Sequence, residues 1–217
     1  MSEYDGEWPG AAPVTETPDE DTGEDQAVVE PEEVEEDAIE AIAVDNGFPG
    51  HAPGALDIPD GVDVLQGSPQ GTRKRIAIVL SRFNGDVTNR LLESALAEVA
   101  RAGIDREHVT VMPVPGAFEL PIGAMALAKT RRYVAVVALG CVIRGETAHF
   151  DYVAGEAASG LQLAALETGV PVAFGVLTTE NLEQAMARTD KGAEAVRSAL
   201  EMADLFNQLR ATAKAAG

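Results

Sequence analysis

His149 stands at the head of an apolar stretch with helical spacing, directly after the run Gly145-Glu146-Thr147-Ala148. A loop of this kind at a helix start offers free backbone N–H groups and the positive end of the helix dipole, which together make a phosphate site. An imidazole there can carry protons for a reaction at the bound group. Alone, such a histidine is more often a solvated or structural residue; the loop before it is what favours chemistry. Phe83 follows Arg82, and Phe118 sits in Gly116-Ala117-Phe118-Glu119. Each ring could lid the core or stack against a flat heterocycle. Glu119 runs straight into Leu120-Pro121-Ile122, and a carboxylate entering an apolar helix needs a polar partner. The hydroxyls of a polyol would serve. Arg188 follows the apolar face of a short helix, where a guanidinium is either a surface charge or a clamp for phosphate. His51 lies in an acidic stretch and His108 at the edge of a strand, without comparable company. No Cys/His cluster has metal-ligand spacing, and nothing matches a P-loop or a dinucleotide fingerprint.

The elements that must hold these residues are legible from Arg73 onward. Short continuous apolar runs predict strands over 76–80, 109–114, 133–143 and 172–177, the third being long enough to lie buried on both faces. Helices are predicted between them. The first starts near Asp86 or Thr88, either able to cap it, turns Leu91, Leu92, Ala95, Leu96 and Val99 inward, and stops at Gly103. A second leaves the Pro115-Gly116 turn and runs to Lys129, and a third spans about 150–167. A short helix near 180–187 precedes a long one from Gly192, with Val196, Ala199, Leu200, Ala203 and Phe206 inward. Strand–helix alternation repeated in this way predicts an α/β three-layer αβα sandwich: a four-stranded parallel sheet with helices on both faces. Ligands of such sheets bind at the carboxyl ends of the strands. The segments there, 81–86, 115–119, 144–149 and 178–180, carry two aromatics, a histidine, two arginines and four carboxylates.

Charge divides the chain. Residues 1–72 hold 20 of the 36 Asp and Glu and no Lys or Arg, so the remainder carries 16 acids against all 16 bases. The whole net charge of −20 therefore sits on the leading segment. Eight of the 12 prolines fall there too. Such a stretch cannot bury enough apolar surface to offset its conformational entropy, so 1–62 is expected to be an acidic, disordered N-terminal extension. A neutral domain behind an acidic extension argues against nucleic acid as a partner. No run approaches the roughly 18 apolar residues of a membrane helix, and the first residues lack the pattern of a secretory signal. One cysteine, Cys141, excludes an internal disulfide and suits a reducing compartment, so a cytoplasmic location is expected.

Several stretches, in order, resemble one family. They are Leu65-Gln66-Gly67, Arg82-Phe83-Asn84, Pro115 to Pro121, Gly140 to Asp151, Phe174 to Asn181, Glu183-Gln184-Ala185 and Lys191-Gly192. From about residue 65 to the C-terminus the chain closely resembles lumazine synthase, an enzyme of riboflavin biosynthesis. The resemblance implies a flavodoxin-like sandwich over 63–217 that assembles into pentamers, in some members twelve of them in a shell, with riboflavin synthase as an expected partner. It implies condensation of 5-amino-6-(D-ribitylamino)uracil with 3,4-dihydroxy-2-butanone 4-phosphate, without metal or organic cofactor. Carried over by position, Phe83 stacks on the pyrimidine, while Ala117, Phe118 and Glu119 hold the ribityl chain. Cys141, Val142 and Ile143 read the uracil edge largely through backbone groups. Glu146 and Thr147 bind phosphate through their amides with Arg188 as the cationic clamp, and His149 transfers protons. Phe174 and Arg188 would come from a neighbouring subunit. One departure stands out: only Thr189-Asp190 separates Arg188 from Lys191, where the family has a longer loop, which bears on assembly size and on any role of Lys191. A flavodoxin-like electron carrier would need a Ser/Thr-rich loop after the first strand, which Ser81-Arg82-Phe83-Asn84-Gly85 does not supply. A lumazine- or flavin-binding protein without turnover, and a shell protein that recruits partners by its tail, are the other readings of the same scaffold.

Overall fold

The computed structural model describes residues 56–215, so most of the expected acidic extension lies outside the described residues. Among the described residues four strands and five α-helices alternate: β1 Ile76–Ser81, α1 Gly85–Arg101, β2 Val109–Val114, α2 Leu120–Lys129, β3 Ala135–Ile143, α3 His149–Thr168, β4 Val172–Thr179, α4 Leu182–Met186 and α5 Lys191–Ala215. All strand pairs are parallel, in the order β2-β1-β3-β4. This is the expected α/β sandwich, with the strand order of the flavodoxin-like class. Alternation along each strand supplies two cores. Ile76, Ile78, Leu80, Val137 and Leu139 pack under α1 and α5, while Ala77, Val79, Val136 and Ala138 pack under α2 and α3. Both faces of β3 are covered, which is why its run of Val, Ala and Leu is unbroken.

The ends of the helices have local causes. Gly103 and Gly169, at φ +81 and +63, turn the chain out of α1 and α3 in a conformation that only glycine adopts freely. The expected cap of α1 at Asp86 or Thr88 is displaced: the helix starts at Gly85, and Asn84 is the boundary residue in the left-handed region. The Asn84 carbonyl accepts from the amides of Val87 and Thr88, while its side chain serves elsewhere. Pro121 sits in the first turn of α2, where a missing N–H costs nothing.

The inward face of α1 also differs from the expected one. Leu96 is 38% exposed, and Glu98 takes a place on the buried stripe at 5% exposure. Glu98 is tolerated there because two guanidinium groups meet it. Arg101 binds it at 2.6 and 2.9 Å, and Arg197, reaching across from α5, at 3.1 Å. Next to this bridge the start of α5 lies against the α1 backbone, since a Cβ on Gly192 would come within 2.1 Å of the Leu91 carbonyl oxygen. Phe206, expected inward, is only half-buried at the margin of the sheet. The segment before β1 is strapped to α5: the Ser68 amide donates to Asp204 at 3.1 Å, and Gln208 donates to the Gln66 carbonyl at 2.8 Å.

Removing Glu98 leaves the mostly buried Arg197 without its counter-charge. Glu98→Ala is expected to lower unfolding free energy by about 2–4 kcal/mol, and Glu98→Gln by less because hydrogen bonding survives. Chemical denaturation of both variants measures this; a loss below about 1 kcal/mol for Glu98→Ala would show that the bridge is solvated and dispensable.

Candidate active site

The strand order reverses direction between β1 and β3, the topological switch point at which parallel sheets leave a crevice. Here the crevice has a specific origin. β1–β3 pairing ends at Leu80↔Leu139, whereas β3 continues against β4 to Ile143↔Thr179. Residues 140–143 therefore have a strand neighbour on one side only, and the other edge opens into a cleft of about 590 Å³. Asn84 occupies one group of this edge, its Nδ2 donating to the Cys141 carbonyl at 2.9 Å. The left-handed turn at Asn84 is what aims that amide across the gap, and asparagine is among the few residues that take the conformation readily.

Most residues singled out from the sequence border this cleft. Phe83, Ala117, Phe118, Glu119, Cys141, Val142, Ile143, Thr147 and His149 all line it. Phe83 is 70% and Phe118 57% exposed, so neither ring lids the core and both present apolar faces to the opening. Glu119 already has a polar partner. Its Oε2 accepts from the Gly116 amide at 2.8 Å and closes the short 3₁₀ turn Ala117–Glu119 ahead of α2. The Cys141 side chain packs into the core beneath α1 and α5, so what this residue offers the cleft is backbone. Burial pushes its thiol up to about 11, which keeps it protonated and a poor nucleophile at neutral pH.

His149 is the first residue of α3, one earlier than expected, and its amide lies 3.4 Å from the Thr147 hydroxyl. The loop before it is exposed throughout, and Glu146 belongs to it without forming the cleft wall. Arg144 roots the loop. Its guanidinium binds Asp151 and Glu180 and lies 4.1 Å over the Phe150 ring. Those two carboxylates, Asp151 foremost, raise its already high pKa.

Phe174 and Arg188 are not in the cleft. Phe174 is 47% exposed midway along β4, the strand at the sheet edge, beside a separate hollow that it shares with Lys191 and Glu194. Lys191 is held there by Glu194 at 2.6 Å. Arg188 is exposed in the turn after α4, with Nη1 donating to the Gln184 carbonyl at 2.9 Å. Sequence reasoning passed over Asn84, Phe150, Tyr152 and Val153, which also line the cleft. A signal existed for the last two: they lie three and four positions after His149, and therefore on its face of α3. Among the described residues no three His, Cys, Asp or Glu side chains converge as metal ligands, and no helix is long and apolar enough to cross a membrane.

Comparison with known proteins shows what the chain is similar to. Residues 73–207 match the family model described as 6,7-dimethyl-8-ribityllumazine synthase. A protein of that name from Yersinia pestis (strain Pestoides F) is 48% identical over 155 residues, which cover 69% of this chain and 99% of the relative. The protein of the same name from Yersinia pseudotuberculosis serotype O:1b (strain IP 31758) shows the same identity and coverage.

Because the Cys141 thiol is buried and held in its protonated form, it is expected to react with iodoacetamide at least about a hundred-fold more slowly than a free thiol at pH 8. Reaction should become fast only on unfolding in denaturant. Rapid labelling of the folded protein, read by mass spectrometry, would refute this and reopen a chemical role for the thiol.

Proposed function

The chain belongs to the 6,7-dimethyl-8-ribityllumazine synthase family, and from that membership we propose how its cleft carries out the family's reaction. The chain is a transferase that condenses 5-amino-6-(D-ribitylamino)uracil with 3,4-dihydroxy-2-butanone 4-phosphate to 6,7-dimethyl-8-ribityllumazine, the penultimate step of riboflavin biosynthesis. The chemistry divides into three events. The 5-amino group and the ketone form an imine with loss of water. Loss of a proton from the hydroxyl-bearing carbon then expels phosphate, the enol so formed tautomerises to a new ketone, and the ribitylamino nitrogen closes the second ring on that ketone with loss of another water. Atoms and electrons balance between the two substrates and the products, so our reading gives no step to a metal or organic cofactor. The protein orients two partners, excludes water and moves protons.

The observation that carries the assignment of residues is the meeting, in one cleft, of two exposed aromatic rings, the open edge of β3 and the loop that ends at His149. Phe83 stacks on the pyrimidine, and the backbone at Cys141, Val142 and Ile143 reads the uracil edge, because that edge has no strand partner. Ala117, Phe118 and Glu119 hold the ribityl chain, with the uncapped oxygen of Glu119 accepting from a hydroxyl. The amides of Glu146 and Thr147, at the start of α3, receive the phosphate. His149 passes the proton between the reacting nitrogen and the departing groups. Phe174 and Arg188 act on a neighbouring copy: both are exposed, both lie outside their own cleft, and β4 is at the sheet edge where another subunit can approach. The working form is accordingly a ring, a pentamer or a multiple of pentamers, in the cytoplasm, with riboflavin synthase as the enzyme that takes the product. Residues 63–217 form the catalytic domain and 1–62 an acidic extension to it; the family match begins at residue 73.

Three measurements test this. His149→Ala is expected to lower kcat by roughly ten- to ten-thousand-fold with fold and assembly retained, in an assay of lumazine formation. Unchanged kcat would remove His149 from the mechanism. Arg188→Ala should raise the KM for the butanone phosphate while leaving that for the ribitylaminouracil nearly unchanged. If the site is shared, refolding His149→Ala and Arg188→Ala chains together should give, at sub-saturating butanone phosphate, a rate above that of either variant alone. Failure of mixed assemblies to recover would mean that Arg188 serves its own chain.

A further inference from the structure

Arg144 was not among the residues expected to act, yet it is the most heavily engaged side chain beside the cleft. Its backbone amide donates to the Thr179 carbonyl at 2.9 Å, which carries the β3–β4 ladder one residue past the strand end. Its side chain then reaches two other places. Nε lies 3.0–3.2 Å from the Glu180 carboxylate, just beyond β4. Nη1 and Nη2 lie 3.4 and 3.2 Å from the two oxygens of Asp151, in the first turn of α3. Its flat face covers Phe150, whose ring lines the cleft. One guanidinium thus ties together the end of β3, the end of β4 and the start of α3. The chain between these anchors is the loop 145–148, whose described hydrogen bonds are all local.

We propose that Arg144 is a positioning residue for the phosphorylated substrate: its bidentate latch sets the loop 145–148 and cancels two carboxylates that would otherwise repel the incoming anion. This rests on the reading that the loop receives phosphate. Arg144 does not itself meet the anion, because its nitrogens face Asp151 and Glu180 and its ring face is covered by Phe150. The latch is exposed, and exposed ion pairs contribute little to global stability. What three contacts fix instead is the angle at which β3 delivers the chain to α3, and hence the direction of the amides before His149. Charge works in the same sense. Asp151 and Glu180 are both largely exposed beside the loop. Without Arg144 they would face a phosphate dianion uncompensated.

The test uses the assembled full-length enzyme with Arg144→Met and Arg144→Lys, reading both KM values, kcat, and competitive inhibition by inorganic phosphate. Arg144→Met is expected to raise the KM for the butanone phosphate and the inhibition constant for phosphate by roughly ten- to hundred-fold, with the KM for the ribitylaminouracil within about two-fold and the melting temperature almost unchanged. The penalty should be larger at low ionic strength. Arg144→Lys keeps the charge but not the fork, and should recover part of the loss; it also serves if the methionine variant does not assemble. Equal changes in both KM values, or phosphate inhibition identical to wild type, would overturn the proposal. The underlying reading fails separately: if inorganic phosphate does not compete with the butanone phosphate in the wild-type enzyme, the loop is not a phosphate site, whatever the variants do.

Discussion

The mismatch in length between β1 and β3 is the constraint from which the site follows. Parallel strands covered on both faces satisfy their backbone groups only through their neighbours, so a strand that outruns its neighbour leaves donors and acceptors unmet. β1 stops at Ser81 because the chain must turn through Phe83 and Asn84 into α1, while β3 runs on beside β4 to Ile143. The cost of the unpaired edge is offset in part by Asn84, which gives its side chain to the Cys141 carbonyl instead of capping its own helix. The rest of the edge can be met by a flat, hydrogen-bonding heterocycle. The same short loop that ends β1 therefore creates the vacancy, fills part of it and supplies the ring that stacks beside it.

Charge is used in two ways around this frame. Inside, Glu98 sits between Arg101 and Arg197 and links α1 to α5, a buried carboxylate that is stable only because its counter-ions are close. At the surface, Arg144 lies between Asp151 and Glu180, where solvent weakens each pair but the combined geometry still fixes a loop. The first arrangement is about holding helices together. The second is about where backbone amides point, which matters more to a ligand than to stability.

The proposed function also depends on what one chain leaves open. The cleft carries aromatic, carboxylate, imidazole and backbone groups, but the arginine suited to clamp a phosphate is exposed elsewhere. Phe174 likewise faces away from its own cleft, on the edge strand. On the proposed reading of a site shared by two copies, turnover is tied to association, and the turn at Thr189-Asp190 directly follows Arg188.

Much of this was legible in the sequence, because hydrophobic period and strand length are local properties. The apolar runs located all four strands, and the glycines at 103 and 169 sit at helix ends for reasons of backbone conformation that no distant contact alters. The motifs around Phe83, Phe118 and His149 pointed to one end of the sheet, since parallel strands deliver their carboxyl ends together. Other features depended on partners far away in the chain. Glu98 reads as a solvent-facing residue and Leu96 as core until α5 brings Arg197 to the first and leaves the second uncovered. Asn84 reads as a turn residue, and only the overhang of β3 gives its amide a task. Arg144 is given no task by the sequence beyond its place in a strand-end segment, yet two carboxylates at 151 and 180 occupy it, and nothing in its own neighbourhood of sequence announces the second. The sequence alone determined which elements form and which residues gather at their ends; the tertiary structure decided which of those residues are already engaged with one another, because hydrogen bonds and ion pairs across the fold depend on distances that no local pattern encodes.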